Sequence, residues 1–261
     1  MKRVEGCKMT VALILAGGIK SELATHQQVI VEDALIRIAN RYMVEYVVDA
    51  LQGSPYIEKV IIAGPLQQLE KVYAKSTFVQ ITANGKTTVQ SFLNAYQLVA
   101  PEYEQLLVVT SDLPLLTTEA VNHFLETCQG LEGDFFYPIV SREVNENKYP
   151  GVERTYVHLK EGLFTGGNLL LVKSEVVDRC IFEAEELIRL RKKPLSLAAH
   201  LGWKLLFFYL LRRLSIEDAE KELSRLLGGV KGVGVISPYP EIGIDVDKPS
   251  DLAFVEKVLC S

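Results

Sequence analysis

The sequence contains few cysteines, and none is placed for a zinc or redox motif. The 261 residues include Cys7, Cys128, Cys180 and Cys260, and no two of these are separated by only two residues. Zinc ribbons, redox dithiols and a disulfide framework are therefore not expected. This cysteine usage predicts a reducing, cytoplasmic setting.

The chain also lacks an excess of positive charge and a hydrophobic run long enough to span a bilayer. The formal net charge is −5, whereas a protein that coats nucleic acid needs clustered positive charge. No apolar stretch approaches the roughly 20 residues of a membrane-spanning helix. The basic and apolar start of the chain resembles a signal peptide, but Gly17 and Gly18 end the apolar run early. We therefore expect no nucleic-acid partner and no transmembrane segment.

Alternating apolar runs and helical stripes in the first half of the chain predict an α/β fold. Strands are predicted at Val11–Ala16, Lys59–Ala63, Phe78–Ile81 and 107–110, and helices at Arg41–Gln52, Thr88–Val99 and Thr117–Cys128. Strands that alternate with single helices predict a parallel sheet with right-handed crossovers. This half of the chain is Rossmann-like up to about residue 130.

The pattern changes in the second half, where mixed or antiparallel pairing is expected. We predict strands at Phe135–Val140, Thr155–Leu159, Asn168–Val172 and Val233–Ile236, with no helix between the first two, and a final helix at Asp251–Leu259. Ser174 and Ser250 are predicted helix N-caps, and Ser215 with Asp218 predicts another helix start. The chain is predicted to form a single domain, 1–261, with a helical insertion over 176–232.

The stretch LVVTSDLPLL at 107–116 places one carboxylate, Asp112, at the end of a buried parallel strand. In open α/β sheets, ligands bind at this edge. No basic residue lies within ten positions of Asp112, so a hard cation such as Mg²⁺ suits it better than an ion pair. The alternative is an aspartate that caps the next turn.

Two glycine-containing loops are candidates for nucleotide binding. In LAGG at 15–18, Gly17 and Gly18 directly follow the first strand, and such a loop brings backbone N–H groups close to an anion. The loop is neither GxGxxG nor a Walker A motif. Gly85, with Ser91 at the head of a helix, is placed to approach a base or ribose. The alternative for LAGG is a glycine pair with a purely structural role.

Near the C-terminus, Asp245 and Asp247 are separated by one residue. Strand alternation would put both carboxylates on one face. There either both of them hold a Mg²⁺ ion, or one holds the ion and the other has an orienting role. We expect Asp112 and one of this pair to converge on a single metal ion. The alternative is a solvated loop before a capped helix.

Acceptor-binding candidates lie between these segments. Gly167 allows a ligand to approach the backbone, and the Asn168 amide both donates and accepts hydrogen bonds. Arg154 and Lys192, the latter within RKKP at 191–194, are candidates to hold an acceptor's phosphate or carboxylate. The apolar run 201–214 has three interpretations: a buried helix, a contact between copies of the chain in a homo-oligomer, or a membrane-surface contact.

Taken together, these motifs resemble the MobA-like NTP transferases. The matching pieces occur in the family's order: LAGG, ANRYMVEYVVDAL, NGKTTVQSFLNA, TSDLPLLT, TGGNLLLV and GIDVDKPSDL. The resemblance implies a three-layer α/β/α sandwich with a mostly parallel, mixed sheet of the nucleotide-diphospho-sugar transferase type. It implies a reaction in which an acceptor's phosphate oxygen attacks the α-phosphorus of an NTP and releases pyrophosphate. In such a transfer the protein mainly positions groups and neutralises charge.

The resemblance also implies roles for individual residues, with Mg²⁺ as the cofactor and an NTP and a small phosphorylated acceptor as the substrates. Catalytic roles fall to Lys20, Asp112 and Asp247, and metal ligation to Asp112, Asp247 and Asp245. Nucleotide contacts are predicted for Leu15, Ala16, Gly17, Gly18, Asn84, Gly85, Ser91 and Ser111. Acceptor contacts are predicted for Asn168, Gly167, Arg154 and Lys192.

The sequence departs from the family at two cations. The family has an Arg shortly after LAGG and a Lys before an Ala-Leu pair, whereas this chain lacks the Arg and has Asp33 before Ala34-Leu35. Lys20, Arg37 or Arg41 are candidate replacements. Two alternative functions follow: a catalytically degenerate nucleotide-binding protein, or a glycosyltransferase that uses Asp245-Val246-Asp247 to hold a sugar nucleotide.

Overall fold

A computed structural model describes residues 9–18, 32–190 and 213–260, together with Ser196. Eleven strands occur in these residues: β1 Thr10–Leu15, β2 Arg37–Ile38, β3 Arg41–Tyr42, β4 Ile57–Gly64, β5 Val79–Ala83, β6 Gln105–Thr110, β7 Phe135–Ser141, β8 Val157–Leu159, β9 Gly162–Gly166, β10 Leu169–Lys173 and β11 Gly232–Ile236. The same residues include eight α-helices: α1 Met43–Gln52, α2 Leu66–Tyr73, α3 Thr88–Tyr96, α4 Thr118–Gln129, α5 Arg142–Lys148, α6 Val177–Leu190, α7 Ile216–Leu226 and α8 Pro249–Leu259. None of the described helices is both long and apolar enough to cross a membrane.

Nine of these strands form one mixed sheet in the order β5-β4-β1-β6-β10-β7-β9-β8, and β11 pairs with β7. The strands β5, β4, β1 and β6 are parallel. β10 runs antiparallel to both β6 and β7, and β9 is antiparallel to β7. The predicted change from parallel to mixed pairing after residue 130 is confirmed.

Helices cover both faces of the sheet, because the side chains of the central strands alternate between two apolar clusters. On one face Ile14 and Val109 pack with Phe124 of α4 and residues of α1. On the other face Leu13 and Leu106 pack with residues of α3 and α6. Strands that are buried on both faces explain the nearly continuous apolar runs of the sequence. The predicted three-layer α/β fold is confirmed.

Several local predictions are wrong. The polar helix α5 lies between β7 and β8, where no helix was expected, and β9 is a strand that the sequence did not reveal. Ser174 is not the N-cap of α6, since its hydroxyl donates to the Tyr103 carbonyl at 2.6 Å. Ser250 does not cap α8, which begins at Pro249. The helix expected from Arg41 begins at Met43, after the short strand β3.

The parallel strands carry their C-terminal ends to one edge of the sheet. Leu15 at the end of β1 lies beside Ala63 of β4 and Thr110 of β6, and Gly64 lies beside Ala83 of β5. The segments that follow these strands contain most of the predicted site residues. Lys20, Lys192 and most of the apolar run 201–214 lie outside the described residues.

Candidate active site at the C-terminal edge of the sheet

Asp112 is held directly after β6 by contacts with the neighbouring strand. The Ser111 N–H donates to the Leu15 carbonyl at 3.3 Å, so the chain stays against β1 past the end of the ladder. Leu113 and Leu116 then turn into the core, and Thr117 caps α4 by accepting a hydrogen bond from the Ala120 N–H. This strand-turn-helix arrangement fixes the Asp112 carboxylate at the sheet edge.

Asp245 and Asp247 reach Asp112 from the C-terminal segment. Carboxylate oxygens of the three residues, which we call the aspartate trio, lie within 4.8 Å of one another. The predicted strand over these residues is wrong, because no regular strand occurs between residues 243 and 249. The Val246 N–H donates instead to the Asp112 carbonyl at 3.0 Å, and the Val246 side chain is fully buried. This anchor explains how both acidic side chains reach the site without a strand.

The start of α8 fixes the other end of the same loop. The Asp251 carboxylate accepts hydrogen bonds from the N–H groups of Asp247 and Lys248, both at 3.1 Å. Pro249 occupies the first helical turn, where its missing N–H is harmless. The sequence DKPSD therefore forms a capped helix start that holds Asp247 in place.

Arg154, a predicted acceptor-binding residue, is bound to the trio. Its Nη1 donates to Asp245 Oδ1, and both side chains are 16% exposed. Burial raises the pKa of the Asp245 carboxyl, the nearby charge of Asp112 raises it further, and Arg154 opposes both effects. Asp245 is thus a mostly buried carboxylate whose charge is partly balanced by an arginine.

The aspartate trio has the chemistry of a hard-cation site. Three carboxylates within 4.8 Å of one another offer only oxygen ligands, which Mg²⁺, Mn²⁺ and Ca²⁺ prefer over softer donors. Like charges at this separation repel one another, and a bound divalent cation relieves that repulsion. The residues therefore fit a divalent metal ion.

The glycine loop after β1 is closely packed on two sides. A Cβ added to Gly17 would lie 2.6 Å from Asn84 Cβ, and one added to Gly18 would lie 2.8 Å from Asp33 Oδ2. The Asp33 N–H donates to the Gly18 carbonyl at 3.0 Å, and the Asp33 side chain is buried. The loop can accept no side chain at either glycine without movement of its neighbours.

Asn84 and Gly85 form a second wall of the same edge. The Asn84 N–H donates to the Gly64 carbonyl at 3.3 Å. The buried Ser91 hydroxyl accepts from the Gly85 N–H at 3.0 Å and donates to the Thr87 carbonyl at 3.1 Å. Ser91 therefore holds the loop against α3, a positioning role that the sequence did not distinguish from direct nucleotide contact.

Gly167 and Asn168 lie on the opposite side of Asp112, between β9 and β10. The Thr110 N–H donates to the Asn168 carbonyl at 3.2 Å, and the Asn168 N–H donates to the Ile242 carbonyl at 2.8 Å. The Asn168 Nδ2 group is buried and has no hydrogen-bond partner in the described part of the chain. A buried amide donor of this kind is costly unless a ligand or water accepts from it.

The sequence did not reveal one ion pair close to this region, and both candidate replacement arginines in the described residues have local partners. Lys148 of α5 pairs with the buried Glu241, four residues before Asp245. Arg41 pairs with Asp49 of α1 at 2.6 Å, and Arg37 stacks over a tyrosine of its own hairpin. In the sequence, only the polar composition of α5 and the acidic residue ahead of Asp245-Val246-Asp247 hint at the ion pair between Lys148 and Glu241.

The fold and the strand-end cluster define an α/β protein with a candidate ligand site at the C-terminal edge of its sheet. The family model for the MobA-like NTP transferase domain matches residues 12–225, so the chain belongs to the MobA-like NTP transferase family. A hypothetical transferase from Thermus thermophilus is 34% identical, with a TM-score of 0.79 over 94% of this chain and 99% of that one.

More distant solved structures share the fold. They include the 4-diphosphocytidyl-2C-methyl-D-erythritol synthase of Anaerococcus prevotii, which is 11% identical with a TM-score of 0.63 over 97% of this chain and 99% of that one. The 2-C-methyl-D-erythritol 4-phosphate cytidylyltransferase of Francisella tularensis is 11% identical, with a TM-score of 0.60 over 96% of this chain and 99% of that one. No curated protein matches the chain.

Proposed function

We propose that the protein is a Mg²⁺-dependent nucleotidyltransferase that transfers an NMP from an NTP to a small phosphorylated acceptor. One observation carries the proposal: the glycine loop after β1 and Asp112 after β6 follow paired strand ends, and Asp245 and Asp247 converge on Asp112. The glycine loop and the aspartate trio thus lie at the same sheet edge, where α/β proteins bind ligands, which supports assigning phosphate binding to the loop and metal binding to the trio. Membership of the MobA-like family supports the same reaction class.

In this proposal Asp112 and Asp247 hold the Mg²⁺ ion, while Asp245 is held by Arg154. When bound, Mg²⁺ neutralises phosphate charge and orients the triphosphate. Carboxylate ligands from two separate segments restrict the position of the ion, because one is fixed to β6 and the other to the start of α8. In this proposal the metal ion joins the segment after β6 to the segment before α8.

The chain's other residues bind and orient the two substrates. The backbone of Leu15, Ala16, Gly17 and Gly18, with Ser111 beside it, faces the nucleotide phosphates in this proposal, and Asn84 and Gly85 approach the base or ribose. The buried Asn168 amide, next to Gly167, donates to the acceptor. A phosphate oxygen of the acceptor then forms a bond to the α-phosphorus as the bond to pyrophosphate breaks. Lys20 and Lys192 are proposed to supply positive charge for the phosphates.

Thermal unfolding with each of the four NTPs, with and without Mg²⁺, tests this proposal. A ligand at about 100 times its Kd adds about 2.7 kcal/mol of apparent stability, which is readily measured as a shift in Tm. A Mg²⁺-dependent shift with an NTP supports the proposal and identifies the base. No shift with any NTP at millimolar concentration contradicts it.

One observation favours a second function, a catalytically degenerate nucleotide-binding protein. The buried Asp33 carboxylate packs against Gly18, at the position where the family pattern has a lysine, and a negative charge there repels a triphosphate. In that case the wild type binds an NTP without releasing pyrophosphate, and Asp33→Lys gains turnover while Asp33→Asn does not. Pyrophosphate release by the wild type removes this alternative.

A further inference from the structure

Arg154 reaches the aspartate trio from the loop between α5 and β8. Its Nη1 contacts Asp245 Oδ1, while its Nη2 lies close to Gly243, at 3.8 Å from the position of an added Cβ. The Arg154 Nε is buried and has no hydrogen-bond partner in the described part of the chain. The Arg154 guanidinium is therefore held mainly through its hydrogen bond to Asp245.

Two other cations of the neighbouring segments are bound to glutamates. Lys148 pairs with Glu241, and Lys248 pairs with Glu153 at 2.8 Å. Arg154, by contrast, is bound to a carboxylate of the trio itself. Its charge therefore bears directly on how strongly the trio attracts a cation.

The charges of these four side chains determine the site's attraction for a divalent ion. Three ionised carboxylates carry −3, and Arg154 reduces the total to −2, which matches one divalent cation. We propose that Arg154 neutralises Asp245 and thereby leaves Asp112 and Asp247 as the two carboxylates that hold the metal ion, an inference that rests on the proposed function. Arg154 is then a positioning residue that acts through Asp245, and it does not bind the acceptor directly.

Titration of the protein with Mn²⁺ alone at pH 8, with free Mn²⁺ measured by electron paramagnetic resonance, tests this assignment without an acceptor or turnover. Arg154→Met leaves a net charge of −3 and should bind Mn²⁺ about tenfold more tightly than the wild type. Asp245→Asn leaves −1 and should bind about tenfold more weakly. The double variant restores −2 and should lie within about twofold of the wild type.

Two further variants separate this effect from damage to the fold. Arg154→Lys keeps the charge and should retain Mn²⁺ affinity close to that of the wild type. Arg225→Met removes an exposed arginine that pairs with Glu222 at 2.8 Å on α7, and it should leave the affinity unchanged. If Arg154→Met alone does not fold, the double variant, which leaves no unpaired buried charge, carries the test.

Three other outcomes of the Mn²⁺ titration would contradict the role of Arg154 or the proposed function. Equal or weaker Mn²⁺ binding by a folded Arg154→Met overturns the assignment and indicates that Arg154 only supports the structure. A double variant with much weaker binding than the wild type also overturns it, because Asp245 is then a direct ligand. A wild type that binds no Mn²⁺ contradicts the proposed function, and the role of Arg154 with it.

Discussion

Replacement of Gly17 by alanine should disturb the glycine loop, because the added Cβ would clash with the Asn84 side chain. The added Cβ would lie 2.6 Å from Asn84 Cβ and 2.9 Å from Asn84 Nδ2, whereas ordinary contacts are 3.4–4 Å. Asn84 cannot retreat freely, because its N–H is bonded to the Gly64 carbonyl at the end of β4. Overpacking of this kind costs about 1–3 kcal/mol. We therefore expect Gly17→Ala to lower the free energy of unfolding by that amount and to weaken NTP binding.

Urea unfolding at constant pH measures the effect, with the m-value as a check that the unfolding reaction has not changed. Gly130→Ala is the matched control, because its added Cβ would meet nothing closer than 3.6 Å, and it should change stability by less than about 0.5 kcal/mol.

The double variant Gly17→Ala/Asn84→Gly removes the clashing atoms. It should recover the loss except for the roughly 0.5–1 kcal/mol that a new glycine costs. If Gly17→Ala behaves like Gly130→Ala, or if the second change recovers nothing, the added Cβ does not clash with Asn84.

Three further predictions concern stability. Phe124→Ala empties a fully buried position in the core and should cost about 3–5 kcal/mol in calorimetry; a loss below about 1 kcal/mol would contradict the packing described. The Lys231 N–H and the Lys173 ammonium lower the pKa of Asp134 in the folded protein. The ionised carboxylate therefore stabilises the fold fully above its unfolded-state pKa of about 3.9, and this stabilisation is lost as the pH falls through the lower folded-state pKa. Asp134→Asn should therefore destabilise the protein at pH 7 but much less at pH 2, and equal destabilisation at both would refute the pairing. Ser215→Ala removes the hydroxyl of the capping box of α7 and should cost about 1 kcal/mol in urea unfolding; no change would show that the cap does not contribute.

The sequence predicts those elements whose burial follows a simple period. Residues 11–15 of β1 and 106–109 of β6 are all apolar because helices cover both faces of the sheet, and α3 and α4 present apolar stripes at helical spacing. By contrast, α5 is the polar run REVNENK with only Asn145 buried, so it carries no stripe. β9 was missed because its glycines favour a turn in isolation.

The sequence predicted that Asp112 and one of the two C-terminal aspartates converge, but it did not predict the contacts that bring these residues together. Asp112 was identified from one strand, whereas its contact with Val246 joins residues far apart in the sequence. The pairing of Arg154 with Asp245 spans 91 positions, and neither residue carries a local sign of the other. Contacts of this kind depend on how the sheet brings its edge loops together, which a single sequence does not specify.

In the proposed function, the Asp112 carboxylate makes NTP binding depend on Mg²⁺. Isothermal titration of the wild type and of Asp112→Asn, each with and without Mg²⁺, measures this directly with the NTP that gives the largest thermal shift. We expect Mg²⁺-dependent binding by the wild type and loss of that dependence in Asp112→Asn, with both proteins equally folded by circular dichroism. Binding by Asp112→Asn with an unchanged dependence on Mg²⁺ would contradict it.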